Sequence, residues 1–455
     1  MKQPANLEIF EHASVRRAVI AQILPSIASQ MITLIYNLAD TYFVGMLNAP
    51  NETAAVTVVY PCFLMLTAIS NLFGVGGASA IARALGRKNE TDTRRISSIS
   101  IYGGVFSGIL FSLAFALLAS PILHLCGATE ETYPIAYGYA LWVVILGGPF
   151  TILNTLMANL IRAEGAASAA AFGVSFGGVL NILLDPLFVL PDFMGYGAVG
   201  AGAATALSNA ATVGFFAVYL MRKRGGTYLS VSPSHLKFTR QYLKPILSIG
   251  LPSALQYALT VVATASQASF VSKYPTEAVA ALGIIKKMDQ LPLYFSIGVS
   301  NGLLPLLAYN HTAGNQKRRE QSFRLGAAIS VGFSLLCVLC YELFADSLTS
   351  LFIQDQITIA YGAAFLRCMV VAMPMMAFCY PMIIQFQAMG LAKESTICSI
   401  LRKGVLDIPL LFLMDYLFPL YGCMWVQPIV DTISLVVALY LYRALKVSKI
   451  VGQEA

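Results

Sequence analysis

Two acids stand inside otherwise apolar stretches in the first half of the chain: Asp40, in LIYNLADTYFVG, and Asp185, in LNILLDP. Ionisable side chains at bilayer depth are disfavoured by roughly 2.5–3.5 kcal/mol on insertion scales, and by default they mark an ion or substrate path. At helical spacing Thr33, Tyr36, Asn37 and Asp40 share one face of a first helix, and Asn181 and Asp185, four apart, share one face of another. Each acid therefore belongs to a polar stripe. Brought together in a low-dielectric pocket beside Asn181, the two carboxylates repel, so at least one must hold a proton or face a cation. Such a pair suits proton carriage, and the same oxygens suit a hard cation such as Na+. The competing reading is structural: each Asp bonds a neighbouring backbone group or tyrosine hydroxyl and does nothing else.

The second half is different. Its apolar runs hold Lys286, Lys287, Asp289, Arg367, Arg402, Lys403, Asp407 and Asp431, with bases in excess. The spacing predicts an i, i+3 pair between Lys286 and Asp289 and leaves Lys287 without a local partner. Arg402 and Lys403, in the first turns of a helix, are expected to snorkel to its end. Gln256, Met373, Met376 and Tyr380 are candidates to line a cavity that accepts many shapes.

The elements that position these residues are membrane helices. The chain has 455 residues, 57% of them hydrophobic and only 11% charged, with a mean hydropathy of +0.72. Twelve apolar runs, from 18–46 to 423–442, each reach about 18 residues, enough to cross a ~30 Å hydrocarbon core as a helix. They are too long and too evenly apolar for the alternating ~10-residue strands of a barrel, so the expected class is an all-α polytopic membrane protein. Asp40 lies 23 residues past Arg17, roughly 35 Å along a helix, in the half of the bilayer away from the N-terminus. The first 17 residues lack an apolar core and a small-residue cleavage site, so the first helix is expected to stay.

Basic residues lie on one side. Of 29 Lys and Arg, 23 fall in the tails and in the connections after even-numbered runs, against a single Lys273 in the opposite loops. By the positive-inside rule both termini are cytoplasmic, in a cell (plasma) membrane. The net charge of +7 then faces anionic lipid, not nucleic acid. Short matches recur at offsets of 224 to 227: Leu24-Pro25-Ser26 with Leu251-Pro252-Ser253, Gly74-Val75 with Gly298-Val299, Ala163 and Gly165 with Ala388 and Gly390, Tyr196-Gly197 with Tyr421-Gly422. A unit of six helices is duplicated, and six being even, the two copies run parallel. The expected division is an N-lobe over 1–221, a cytoplasmic linker over 222–245 and a C-lobe over 246–455, the lobes facing each other across a central cavity. Such lobes can rock to open the cavity to alternate sides. The cysteines, including the Cys337–Cys340 pair, read as small buried hydrophobes. The four histidines are scattered, and no nucleophile elbow or phosphate loop is present, which argues against an enzyme.

Over nearly its whole length the chain resembles the MATE (multidrug and toxic compound extrusion) family, and most of all the MepA-like branch of its DinF-like bacterial subfamily. The elements that carry the resemblance are YNLADTYFVG, GVGGASAIARALGRKN, NILLDP, YGAVGAGAAT, NGLLPLLAYNHTAG and FQAMGLAKES. It implies twelve helices in two pseudo-symmetric lobes, acting as a monomer, and secondary active export of lipophilic organic cations by alternating access. No cofactor is implied beyond the coupling ion, H+ or Na+. Asp40 matches the first-helix acid of the family's N-lobe cation site, and Asn181 and Asp185 match its fifth-helix pair. Tyr36 and Thr205 match more weakly, and Asn37 is expected to support them. Relatives of the NorM type carry acids in the seventh and tenth helices, where this chain has Gln256 and the acid-free CMVVAMPMMAFCYPMIIQFQAMG. Coupling is thus expected in the N-lobe. The alternative within the superfamily is a flippase for lipid-linked anionic precursors, with Lys286, Arg367, Arg402 and Lys403 along its cavity.

Overall fold

A computed structural model describes residues 7–223 and 225–451. The described residues form helices and connections, with no strand among them. In chain order the helices are α1 (Val15–Met46), α2 (Pro50–Gly86), α3 (Glu90–Leu125), α4 (Tyr133–Leu146 and Gly148–Ala163), α5 (Ala167–Val189) and α6 (Gly197–Arg222). The second set is α7 (Arg240–Val271), α8 (Thr276–Thr312), α9 (Gln316–Ser350), α10 (Gln356–Val370 and Met373–Met389), α11 (Ala392–Arg402 and Asp407–Leu417) and α12 (Tyr421–Val451).

Among the described residues nine helices are long and apolar enough to span a membrane unaided, and α4 and α10 do so as pieces bent by 48° and 44°. The bend in α4 has a local cause. Leu141–Leu146 winds as a π-helix ahead of Gly147 and Pro149, and proline removes a rung of the hydrogen-bond ladder. The eleventh run departs from expectation. It splits into two helices of 11 residues, each about 17 Å long and too short to cross alone. Gly404 takes φ +133° at the break, a conformation open to glycine and strained for other residues, and its N–H donates to Asp407 Oδ2 at 2.7 Å.

The N-terminal segment and the basic connections gather at one end of the bundle, here termed the basic end. Phe10, fully buried in the turn Glu8–Glu11, packs on Tyr309 of α8, whose hydroxyl donates to Glu11. Arg318 Nη2 donates to Ile9 O at 3.0 Å, and Thr312 Oγ1 to Arg83 O at 2.9 Å. The α6–α7 connection is latched here as well, Thr227 Oγ1 donating to the buried Glu164 at 2.6 Å. The first turns of α7 fall within the stretch 222–245 read as linker. They are ordered because Tyr242 OH accepts from Arg95 Nη1 at 2.6 Å and donates to Asp92 Oδ1 at 3.2 Å.

The two lobes touch through α1 with α8 and through α2 with α7. They do so at the basic end only in depth. A single large core cluster draws residues from both lobes there, including Ile23, Ile81, Ile246 and Leu303, whereas the far halves have separate cores: Phe270, Ile285 and Phe365 on one side, Leu66, Phe115 and Val143 on the other. Small residues permit the seam. A Cβ on Gly250 would lie 1.7 Å from Leu72 O, and one on Gly76 would lie 2.2 Å from Ile246 O. Away from the seam the cores separate, and partly buried side chains between them, such as Asp40, Tyr257 and Tyr294, line a cleft.

Candidate ion and substrate site

The N-lobe site is built where α1, α5 and α6 meet. Small residues set the distances: Gly178 of α5 lets Ile32 and Tyr36 of α1 close in, a Cβ there lying 2.7 Å from Ile32 Cγ2 and 3.1 Å from Tyr36 Cδ1. Facing side chains then converge. Asn181 Nδ2 donates to Asp185 Oδ1 and to Thr205 Oγ1, both at 3.4 Å, and Thr205 Oγ1 donates to Asp40 Oδ2 at 3.4 Å. The carboxyl groups of Asp40 and Asp185 face each other within hydrogen-bonding reach. Asp185 is fully buried, Asn181 and Thr205 nearly so, and Asp40 only partly, so Asp40 lies nearer the cleft.

All three bonds are long, and the remaining oxygens, Asp40 Oδ1, Asp185 Oδ2 and Asn181 Oδ1, are buried without a partner. Buried polar atoms are rarely left so, because each unmade bond costs roughly 1–3 kcal/mol. Two contacting carboxylates and an amide oxygen form a set that one proton or one small hard cation would satisfy.

Asn37 goes elsewhere. Its Nδ2 donates across the cleft to Tyr294 OH of α8 at 3.4 Å, so it joins the lobes and does not support the acids. Tyr36 stands near both Asp40 and Tyr294. Tyr139 of α4, missed from the sequence, lies beside both carboxylates. Tyr60, Tyr257 and Tyr294 were missed as well, and with Tyr380 they form a cluster of phenols within electrostatic reach of one another. The available signal was a phenol inside an apolar run, since a buried hydroxyl seeks a partner.

In the C-lobe several expectations are corrected. Arg402 does not snorkel: with 2% of its side chain exposed it reaches Asp431 of α12 at 3.2 Å and lies 4.1 Å over the ring of Tyr380. Lys403 Nζ donates to Gln427 Oε1 at 2.5 Å. Lys286 and Asp289 form no ion pair among the described residues; both instead stand near Lys403. Met373 and Met376 are 1% and 4% exposed, packed interior and not cavity lining, while Gln256 and Tyr380 are half-buried. Arg367 is half exposed and held by Asp346 of α9 at 2.9 Å.

Arg402 and Asp431 form a buried pair, and removing one member strands a charge. Arg402→Ala is expected to destabilise the protein by about 3–5 kcal/mol, seen as a lower unfolding temperature in detergent. The double change Arg402→Met with Asp431→Leu is expected to recover most of that loss, because no lone charge remains.

The geometry can now be set beside known proteins. The MatE family model matches twice, over residues 25–187 and 252–413, one match in each lobe. The chain belongs to the MatE family. Multidrug export protein MepA of Staphylococcus saprophyticus is 30% identical over 440 residues, 97% of this chain and 96% of that one. MepA of Staphylococcus aureus is 29% identical over the same span. Among solved structures, an outward-facing multidrug resistance MATE family transporter of the MOP superfamily superposes with a TM-score of 0.91 at 24% identity, covering 99% of both chains, which shows the shared fold. The repeated match accounts for the parallel lobes of this MatE protein, and the chain is a multi-pass membrane protein.

Proposed function

We propose that this MatE protein is a secondary active multidrug antiporter. It exports lipophilic organic cations in exchange for H+ or Na+ held by Asp40, Asp185 and Asn181, with Thr205 in support. The observation that carries this reading is the contact between two carboxylates, one buried and one toward the cleft, with unpartnered oxygens left around them. The names of the MepA relatives support the substrate class. The positive-inside pattern supports a plasma-membrane protein whose basic end faces the cytoplasm.

In this reading the described state is closed at the cytoplasmic end and open outward. A ligand shifts the balance between two lobe arrangements only by its differential affinity for them. A coupling ion entering from outside bridges Asp40 and Asp185, relieves their repulsion and draws α1 toward α5 and α6. That moves Tyr36 and Asn37, which face the substrate path. An organic cation against the tyrosine faces gains cation–π attraction of about 0.5–2 kcal/mol per good contact and leaves when those faces are displaced. No cofactor enters the cycle, and the protein acts as a monomer.

The test uses purified protein in liposomes under separately imposed gradients. A pH gradient, a sodium gradient, or both are expected to drive ethidium movement above the no-gradient control. If neither does, the antiporter reading fails. The flippase reading is less well supported, since two of its four proposed cavity bases, Arg367 and Arg402, are engaged by Asp346 and Asp431.

A further inference from the structure

The C-lobe wall of the cleft is as polar as the N-lobe wall, but of opposite sign. Lys286 and Asp289 come from α8, Arg402 and Lys403 from the end of the first piece of α11, Gln427 and Asp431 from α12, and these groups lie within electrostatic reach of one another. Asp407 also stands near Lys403, but its carboxylate is engaged by the Gly404 N–H. Lys287, next in sequence, is exposed on another face. That leaves three cations against two acids.

The arrangement looks built to receive something. Arg402 is 2% exposed, yet its Nη1 has no hydrogen-bond partner; neither does Asp431 Oδ2, nor Gln427 Nε2. Lys403 bonds a neutral amide and no carboxylate, and Lys286 has no hydrogen bond or ion pair among the described residues. Both ammonium-bearing side chains are half-buried, and Arg402, next to Lys403 in the chain, lies over Tyr380 and near Tyr257. The α11 break falls at Lys403, whose backbone is extended at φ −143° and ψ 108°. On the facing lobe Tyr36 stands near both Tyr294 and Asp40.

We infer that the cleft contains an anion subsite at Lys403 and Lys286, which takes the carboxylate of an aromatic substrate while its cationic ring system lies on Tyr257, Tyr294 and Tyr380. A simple organic cation gains nothing from these lysines and meets their surplus charge. A zwitterion of suitable length complements both the lysines and the tyrosine faces. The inference rests on the cleft being the substrate path, and it is tested by binding, so that failure of coupled export and failure of the subsite are read separately.

The probes are tetramethylrhodamine methyl ester, a cation, and its parent acid, a zwitterion that differs only in the free carboxylate. Fluorescence anisotropy with the full chain in lipid nanodiscs gives a Kd for each. The native protein is expected to bind the acid at least as tightly as the ester. Lys403→Gln is expected to raise the Kd of the acid by about tenfold, with the ester unchanged within about twofold, and Lys403→Arg to restore the acid. Lys286→Gln is expected to act in the same direction. The inference is overturned if neither dye binds, if the native protein prefers the ester tenfold, or if the acid-to-ester ratio fails to follow the charge at position 403. Zwitterion-selective binding without ethidium export would leave the subsite standing and remove the antiporter reading.

Discussion

Asp40→Asn is expected to insert and fold like the parent chain and to lose gradient-driven ethidium efflux by about thirtyfold or more, and Asp185→Asn to do the same. The size follows from the charge removed. Truncating one partner of a buried charged contact costs roughly 2–5 kcal/mol, and each 1.4 kcal/mol is tenfold in an equilibrium. The fold is not expected to suffer. Asn keeps the shape, the three bonds in this cluster are all 3.4 Å, and replacing one of two contacting carboxylates removes a repulsion. Thermal stability in detergent is therefore expected to hold or to rise, as is common where a site holds strain for its function. Asp185 is the deeper of the two acids, so its substitution is expected to abolish coupling while leaving equilibrium ethidium binding within about threefold, whereas Asp40→Asn, beside Tyr36, is expected to alter both. Efflux and substrate binding measured on the same preparations separate the cases. Unchanged efflux in both variants would sink the assignment of these acids as the coupling site.

The N-lobe cluster was legible because its signal is local. A carboxylate in an apolar run is anomalous by itself, and spacing of three or four puts Tyr36, Asn181 and Asp185 on definite faces. Thr205 came only through the resemblance, since nothing in YGAVGAGAAT singles out one hydroxyl. The C-lobe was misread where the deciding partner is remote. Arg402 pairs with Asp431, on the next helix, and no helical spacing connects them. The break in α11 was hidden inside an apolar run, although Lys403-Gly404 supplied the glycine that permits it. Asn37 shares its face with Asp40, yet a helix face about 100° wide can look toward two neighbours, and Tyr294 of the facing lobe claimed it. Six-helix duplication was readable from repeats. Which end of the cleft is closed was not, because two lobe arrangements of one sequence differ by only a few kcal/mol.

That closed end can be challenged directly, and Gly250 is the place to do it. A Cβ there would sit 1.7 Å from Leu72 O and 2.6 Å from Leu72 C, backbone atoms of α2 that cannot rotate aside. Gly250→Val must therefore part α7 from α2, whereas a clash with a flexible side chain could relax locally. Overpacking of this kind costs about 1–3 kcal/mol. Here the strain falls on one arrangement of the lobes only, since it vanishes when the seam opens. A two-state balance shifts tenfold per 1.4 kcal/mol, so the variant is expected to spend most of its time open at the basic end and to lose transport by about tenfold or more. Ser79 reports the shift: it is fully buried at the seam, its hydroxyl donating to Gln387 O at 2.6 Å. Ser79→Cys, in a chain whose eight native cysteines are replaced, is expected to resist a membrane-impermeant maleimide with Gly250 intact and to react with Gly250→Val. Gly283→Ala is the control, because its Cβ would meet nothing within 4 Å, and it is expected to change neither labelling nor transport. Fast labelling with Gly250 intact, or unaltered labelling with Gly250→Val, would mean that the glycine seam is static packing and that the gate lies elsewhere. Labelling that rises as transport falls would tie alternating access to a contact between two backbones, which explains why small residues occupy both sides of that seam.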